Sequence, residues 1–401
     1  MSLHTHLTCL LCLLSVLSLA GPSAKTADRP QLKWKKTQID KRFRSEGVAV
    51  ADINRDGKMD IVVGDVWYEA PDWQIHEIRK PQDYGDGSKG YSKSFACFAA
   101  DVNHDGWPDV IVIGFPGEPC HWYENPKNQS GYWEEHTIWR SACNETPQFA
   151  DLFGDGRKVL VMGIQPEGQI CWFAPGADPT SLWQPHAISE TSSKGKPIPG
   201  TDRFSHGLGV GDMNGDGRLD VICTAGWWEQ PATNTGRPWK FHPANLGDAC
   251  ADMFAYDLDG DSKADVVSSS AHNYGIWSYR QTAGSNGEPT FVRSDLFPHL
   301  FSQSHAMHCV DLNGDGLRDL VTGKRWWAHG PKGDADPNDP AVLYWFEAVR
   351  DSAGRIRFTP HQIDDNSGIG TQFAVADVNG DGLLDIVISN KKGVFLFEQV
   401  R

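Results

Sequence analysis

Asp377-Val378-Asn379-Gly380-Asp381-Gly382-Leu383-Leu384-Asp385 reads as a tight acidic turn between two short strands. Its first, third, fifth and ninth residues carry side-chain oxygen. A glycine stands sixth, where the chain reverses and needs a positive φ. The pattern recurs upstream as Asp52, Asn54, Asp56 and Asp60; as Asp101, Asn103, Asp105 and Asp109; and as Asp212, Asn214, Asp216 and Asp220. It returns as Asp257, Asp259, Asp261 and Asp265, and as Asp311, Asn313, Asp315 and Asp319. One degenerate copy runs from Asp151 to Val159, with Phe153 where oxygen belongs. First aspartates lie 45 to 66 residues apart, and self-similarity at such a period signals a repeat architecture.

Each acidic turn follows a short apolar run, and most precede a β-branched one. Next comes an aromatic strand, such as Trp67-Tyr68-Glu69, Trp122-Tyr123-Glu124 or Trp227-Trp228-Glu229. A fourth strand has the pattern aromatic-x-x-His, as in Trp73/His76, Trp133/His136, Trp183/His186, Trp239/His242 and Phe358/His361, with Phe291/Ser294 as a variant. Four strands per unit and seven units predict an all-β, seven-bladed β-propeller over residues 33–401. Unit seven ends at Arg401 after its third strand, and Trp34-Lys35-Lys36-Thr37 fits the fourth-strand pattern. The N-terminal strand is therefore expected to complete the last blade, which removes an open sheet edge.

The repeat resembles the FG-GAP/VCBS propellers, the class that includes the integrin α-subunit head. The blade pattern and histidines are also similar to the propeller domain of aldos-2-ulose dehydratase, a likeness confined to the propeller.

Oxygen-only ligands on a flexible turn suit Ca²⁺ rather than Zn²⁺. The turns hold 21 of the 52 acidic residues, so the formal charge of −15 is largely a property of these loops. About five or six structural Ca²⁺ sites are expected, with the Asp151 loop empty and the Asp257 loop strained by Ser262 in the glycine position. The alternative is an Asx-turn held by its own backbone hydrogen bonds.

Six residues before each first aspartate stand Glu46, Phe95, Glu145, His206, Ala251, His305 and Thr371. In a propeller these positions share one depth at one mouth of the central channel. His and Glu converging from separate blades suit a transition metal or acid–base chemistry; a water-filled polar mouth is the alternative. Candidate catalytic residues are His206, His305, His308, Glu145, Arg203 and Arg325. Asp202, His272, Lys324, Trp326 and Trp327 are candidates for substrate binding. The long connections 79–94, 189–205 and 324–340 are expected at the same mouth.

The remaining features bound the function. The chain is 39% hydrophobic and 22% charged, as a folded protein is. Its net-acidic balance without a basic run argues against nucleic acid and anionic membranes. Leu7 to Ala20 is apolar and precedes Gly21-Pro22-Ser23-Ala24, which reads as an export signal over residues 1–24, followed by a short lead over 25–32. A secreted or periplasmic location follows. Seven cysteines remain beyond residue 24, with Cys120–Cys143 the pair picked for a bridge. Asn128-Gln129-Ser130 and Asn144-Glu145-Thr146 are glycosylation sequons. Two functions fit. The first is a carbohydrate lyase or dehydratase in which a divalent metal polarises a carbonyl or carboxylate while a base removes the α-proton. The second is a non-catalytic propeller that binds glycan or protein.

Overall fold

Short β-branched runs between acidic turns form seven four-stranded antiparallel sheets, the blades of a propeller. The structure is a computed structural model that describes residues 31–284 and 287–401. The expected export signal lies outside the described residues. In blade one the strands are Ala49–Ala51, Asp60–Val63, Val66–Glu69 and Gln74–Glu77, paired in chain order. The seventh sheet departs from that order. Lys33–Asp40 is its outer strand and lies against Gly393–Val400, with Asp385–Asn390 and Ala374–Ala376 inside. Thr37 falls opposite Leu396, as His76 falls opposite Trp67 in blade one.

The core lies between blades. One cluster joins Val62 and Trp67 of blade one to Val110, Val112 and Tyr123 of blade two, and four similar clusters follow as far as blade six. The expected bridge between Cys120 and Cys143 is absent: all seven described cysteines are free and buried. Cys97, Cys120, Cys171, Cys223, Cys250 and Cys309 serve as small apolar side chains within these clusters. Asn144 of the second sequon is also buried, its Nδ2 donating to Gly200 O at 3.0 Å.

The outer histidines are packing elements. Trp67–His76, Trp122–His136, Trp172–His186, Trp227–His242 and Trp345–His361 stack at 3.8–4.7 Å. The glutamate two residues after the tryptophan sits 2.7–3.3 Å from the histidine Nε2 in blades one, two, four and six. Blade three has Ala174 there, and blade five replaces the ring pair with Ser278 and Ser294.

The ninth aspartate of each regular turn is buried and ties its blade together. Asp319 Oδ2 accepts the amide of Leu312 at 3.1 Å and Oδ1 that of Ala348 at 2.7 Å. Asp60, Asp109, Asp220, Asp265 and Asp385 repeat this pair of bonds. Burial pushes their carboxyls up, to about 7 at Asp109 and Asp319, and the neighbouring loop aspartates push the same way. Blade three compensates for Val159 in kind. Pro175 stands where the second amide would be and has no N–H, while Leu152 N donates to Ala150 O. Where that second position is Asn125, Gln230, Gln281 or Gln399, its side-chain amide also donates to a carbonyl in the turn of the preceding blade.

Asp319→Ala orphans two buried amides at about 1–3 kcal/mol each. Chemical denaturation should show a loss of about 3 kcal/mol, whereas Ser294→Ala in the outer strand should change stability by less than about 0.5 kcal/mol.

Candidate functional site

Loops of five blades meet at one mouth of the channel: Glu46, Glu145, His206 and His305 precede the first strands of blades one, three, four and six, and His272 and Arg325 follow the second strands of blades five and six. His206 Nε2 lies 3.1 Å from His305 Nε2 and 3.1 Å from His272 Nε2. Glu145 Oε2 is 3.1 Å from His305 Nε2 and 3.7 Å from His206 Nε2. Arg325 reaches Glu145 Oε2 at 3.3 Å with Nη1 and Glu46 Oε1 at 2.9 Å with Nη2. All these groups except His272 are nearly closed to solvent. Thus Glu46, Glu145, His206 and His305, found by counting back from the acidic turns, do converge. Of the other equivalent positions, Phe95 lines the cavity, Ala251 is buried, and Thr371 hydroxyl donates to the carbonyls of Glu46 and Phe95.

Burial pushes the His206 imidazole down to about 4, against the pull of Glu145. Burial and the Arg325 charge hold His305 well below its usual value. Both rings are therefore neutral at pH 7. Burial alone would raise the Glu145 carboxyl, but the hydrogen bond from His305 and the Arg325 guanidinium hold it well below the usual carboxylate range.

Hydrogen bonds do not account for this convergence. A neutral imidazole nitrogen offers either one proton or one lone pair. If His305 Nε2 donates to Glu145, it has nothing left with which to accept from His206. His206 Nε2 meanwhile faces two imidazoles at once. The buried Nδ1 atoms of His272 and His305 have no well-aligned partner. A cation at the common point would satisfy all three Nε2 lone pairs, and His206, His272 and His305 are the residues that could hold it. Zinc-like bonds of about 2.1 Å at tetrahedral angles would set such nitrogens about 3.4 Å apart, near the 3.1 Å from His206 to each of the other two.

Beside the cluster lies a cavity of about 360 Å³, lined by Tyr91, Phe95, Phe115 and Phe204 and by Glu145, His206, His272, Arg325 and His329. Its size falls at the low end of small-molecule sites, about 300–1,000 Å³. The three long connections contribute as expected: Tyr91 from the first, Phe204 from the second, and Arg325 and His329 from the third.

The other candidates scatter. His308 Nε2 bonds Phe373 O at 2.8 Å, apart from the cluster. Lys324 is fully buried, and its Nζ donates to Ser302 Oγ at 2.7 Å and Asp336 O at 2.6 Å, so it holds a loop rather than a ligand. Trp326 and Trp327 stack on each other at 4.6 Å and lie outside the cavity lining, with Trp327 Nε1 tied to Pro337 O. Asp202 is exposed and is followed by Arg203, whose Nε donates to Pro116 O and whose guanidinium lies 4.8 Å from the Phe204 ring. His272, expected to contact substrate, instead belongs to the histidine cluster. Counting missed it because it follows the second strand of blade five rather than preceding the first. It also missed Asp334, whose Oδ1 is 3.2 Å from His272 Nδ1 and 2.8 Å from His329 Nδ1. Nothing in an irregular inserted loop signals which acid turns inward.

The acidic turns lie elsewhere. In all seven, the first aspartate Oδ2 accepts the sixth residue's N–H at 2.8–3.0 Å. Ser262 adopts φ 67°, the left-handed conformation its neighbours give to glycine. Lys58, Arg157, Arg218 and Lys263 each pair with the fifth aspartate of their own turn. Three carboxylates of the Asp257 turn, Asp257, Asp259 and Asp265, offer oxygens within 4.8 Å of one another.

Residues 257–322 match the FG-GAP-like repeat and residues 369–394 the FG-GAP repeat. The chain is a seven-bladed β-propeller that carries FG-GAP repeats. No curated protein matches it. Among solved structures it is similar to an Agrocybe aegerita lectin, described as recognising non-reducing terminal N-acetylglucosamine, at 16% identity over 92% of this chain and 86% of that one, with a TM-score of 0.45. It is also similar to BBS1N in complex with ARL6DN, soaked with lead, at 10% identity over 92% and 97% of the two chains, with a TM-score of 0.52. At 10% identity the second likeness is one of fold alone.

Arg325→Met leaves Glu46 and Glu145 buried without a cation, at a cost of about 3–5 kcal/mol. In the wild type, the depressed Glu145 pKa contributes stability above the ordinary value of 4.5 that is lost as pH falls through the lower folded value. In the variant the folded pKa rises above the unfolded one, so its deficit should be largest at pH 8 and shrink toward pH 5. Denaturation midpoints at the two pH values check this.

Proposed function

We propose that this propeller is an exported metal-dependent lyase or dehydratase acting on a small polyhydroxylated carbonyl or carboxylate compound, such as an oxidised sugar. The observation that carries the reading is the convergence of three imidazole Nε2 atoms, at 3.1 Å from His206 to each of the other two, beside an aromatic cavity. His206, His272 and His305 are the ligands, with Glu145 at the fourth side. Once bound, the metal supplies a Lewis acid for a carbonyl or carboxylate oxygen.

The chain's own groups supply the rest. Arg325 is buried against Glu46 and Glu145 and holds the acidic wall in place. Glu145 is too strongly stabilised as an anion to serve as the base. His329 fits that part. It lines the cavity, is 55% exposed so that it exchanges protons with water, and has its Nδ1 backed by Asp334 at 2.8 Å. Its Nε2 would then take an α-proton while the β C–O bond breaks with its electron pair, and would return that proton to the departing oxygen, which leaves as water or an alcohol. Tyr91, Phe115 and Phe204 offer ring surface to the C–H face of a sugar-sized ligand. The apolar stretch Leu7–Ala20 supports export, and the acidic turns are read as structural Ca²⁺ sites, with the crowded Asp257 turn the best supported.

A groove of about 770 Å³ beside blades one and two supports a second reading, glycan binding without catalysis. Exposed Tyr132 stands there with Trp67, Trp133, Asn54 and Asn128.

Purified protein treated with a calcium-selective chelator should retain about one transition-metal ion per chain, and the His206→Ala/His305→Ala variant should lose it. Incubation with 2-keto, 3-keto and uronate glycosides should generate enone absorbance that the variant lacks. If metal content and turnover are the same in both proteins, the enzyme reading fails; glycan binding that persists in the variant supports the second reading. Millimolar Ca²⁺ should raise the thermal midpoint over that in chelator, with a smaller rise for Asp259→Ala; no rise removes the calcium assignment.

A further inference from the structure

The insertion 324–340 is far longer than a blade connection needs, yet it is fastened as firmly as a strand. Lys324 buries its ammonium to donate to Ser302 Oγ and Asp336 O. Ala335 O accepts from Ser302 Oγ at 2.8 Å and Gln303 Nε2 at 3.1 Å, and the Asp336 carboxylate accepts from the Tyr274 hydroxyl. Burying an ammonium is costly unless it is fully bonded. Four of these five bonds fall on the two residues that follow Asp334, and the fifth ties Lys324 to Ser302, which itself holds Ala335 O.

We infer that Asp334 is a positioning residue for the histidine centre: its carboxylate, held by the pinned loop, orients His272 so that Nε2 faces His206 and His305. The inference rests on the metal reading above. An ionised carboxylate only accepts. With Asp334 Oδ1 3.2 Å from Nδ1, the His272 proton belongs on Nδ1 and the lone pair on Nε2. Nε2 is the atom 3.1 Å from His206 Nε2. A ligating histidine commonly donates its second nitrogen to a carboxylate in this way, which fixes both tautomer and ring orientation. Apart from Asp334, the buried His272 Nδ1 has no partner among the described residues. Asp334 also accepts from His329 N at 2.9 Å and lies 2.8 Å from His329 Nδ1, so one carboxylate links the buried ligand to the rim imidazole.

The test is Co²⁺ titration of the chelator-treated full chain, followed by visible absorption and by competition with a chromogenic chelator. Wild type should bind one Co²⁺. Asp334→Asn keeps an oxygen for the His329 amide and should bind Co²⁺ about 10–100-fold more weakly with a shifted spectrum. Asp334→Glu should recover part of the affinity. His329→Gln should stay within about threefold of wild type, because His329 is not a ligand in this arrangement. Should Asp334→Asn melt with a broadened transition, His272→Gln provides the second comparison: its loss of affinity should match or exceed that of Asp334→Asn while the transition stays sharp. Asp334→Asn within threefold of wild type with an unchanged spectrum overturns the inference and leaves the metal reading standing. So does a second Co²⁺ equivalent lost with Asp334 or His329, which would make them ligands. A wild type that binds no Co²⁺ removes the metal reading and this inference together.

Discussion

Ring closure is the constraint on which everything else rests. Seven twisted sheets can bury their faces on one another only if the last meets the first, and the seventh has only three strands of its own in sequence. The segment Lys33–Asp40 supplies the fourth by pairing with Gly393–Val400 over nearly its whole length. Because the core lies between blades rather than within them, an open ring would expose the apolar faces of two blades. The mouth depends on the same closure. Glu46, Glu145, His206 and His305 come from separate blades as much as 259 residues apart in sequence, and Arg325 binds the first two only because the ring brings blades one, three and six together.

Within that ring two kinds of carboxylate do opposite work. The ninth aspartates of the acidic turns are buried as acceptors for backbone amides, and burial raises their pKa values. The first and fifth aspartates remain near solvent, organising the turn's amides and pairing with nearby cations. Blade three shows that the ninth position is a hydrogen-bonding device as well as a candidate ion ligand. When its aspartate becomes Val159, the amide it would have served becomes Pro175. At the channel mouth the balance differs again, because Arg325 stabilises charge on Glu145 in a place that water barely reaches.

The outer face and the inner mouth also use histidine differently. The histidines of the fourth strands stack flat on tryptophan, most with a glutamate at Nε2, so both ring face and ring edge are occupied. Those at the mouth meet edge to face, at 71–78° between planes, with nitrogens pointing at one another. The first arrangement consumes the imidazole in packing. The second leaves lone pairs converging on a point, which is a costly arrangement unless something is held there.

Blade number, strand order, the closing segment and the shared depth of Glu46, Glu145, His206 and His305 were all legible in the chain, because repetition turns sequence distance into position on a ring. The stacking role of His76 and its counterparts was legible for the same reason. Local periodicity carries no information about insertions. It left Lys324, Trp326 and Trp327 as apparent binding residues, whereas burial makes Lys324 a fastener and the tryptophans stack on each other. It left Cys120 and Cys143 as an apparent pair, whereas both are buried as free thiols and Cys120 packs between blades. His272 and Asp334 became neighbours only through the folding of two loops that lack repeat partners. A repeat fixes what recurs; a site built from its exceptions exists only once the exceptions touch.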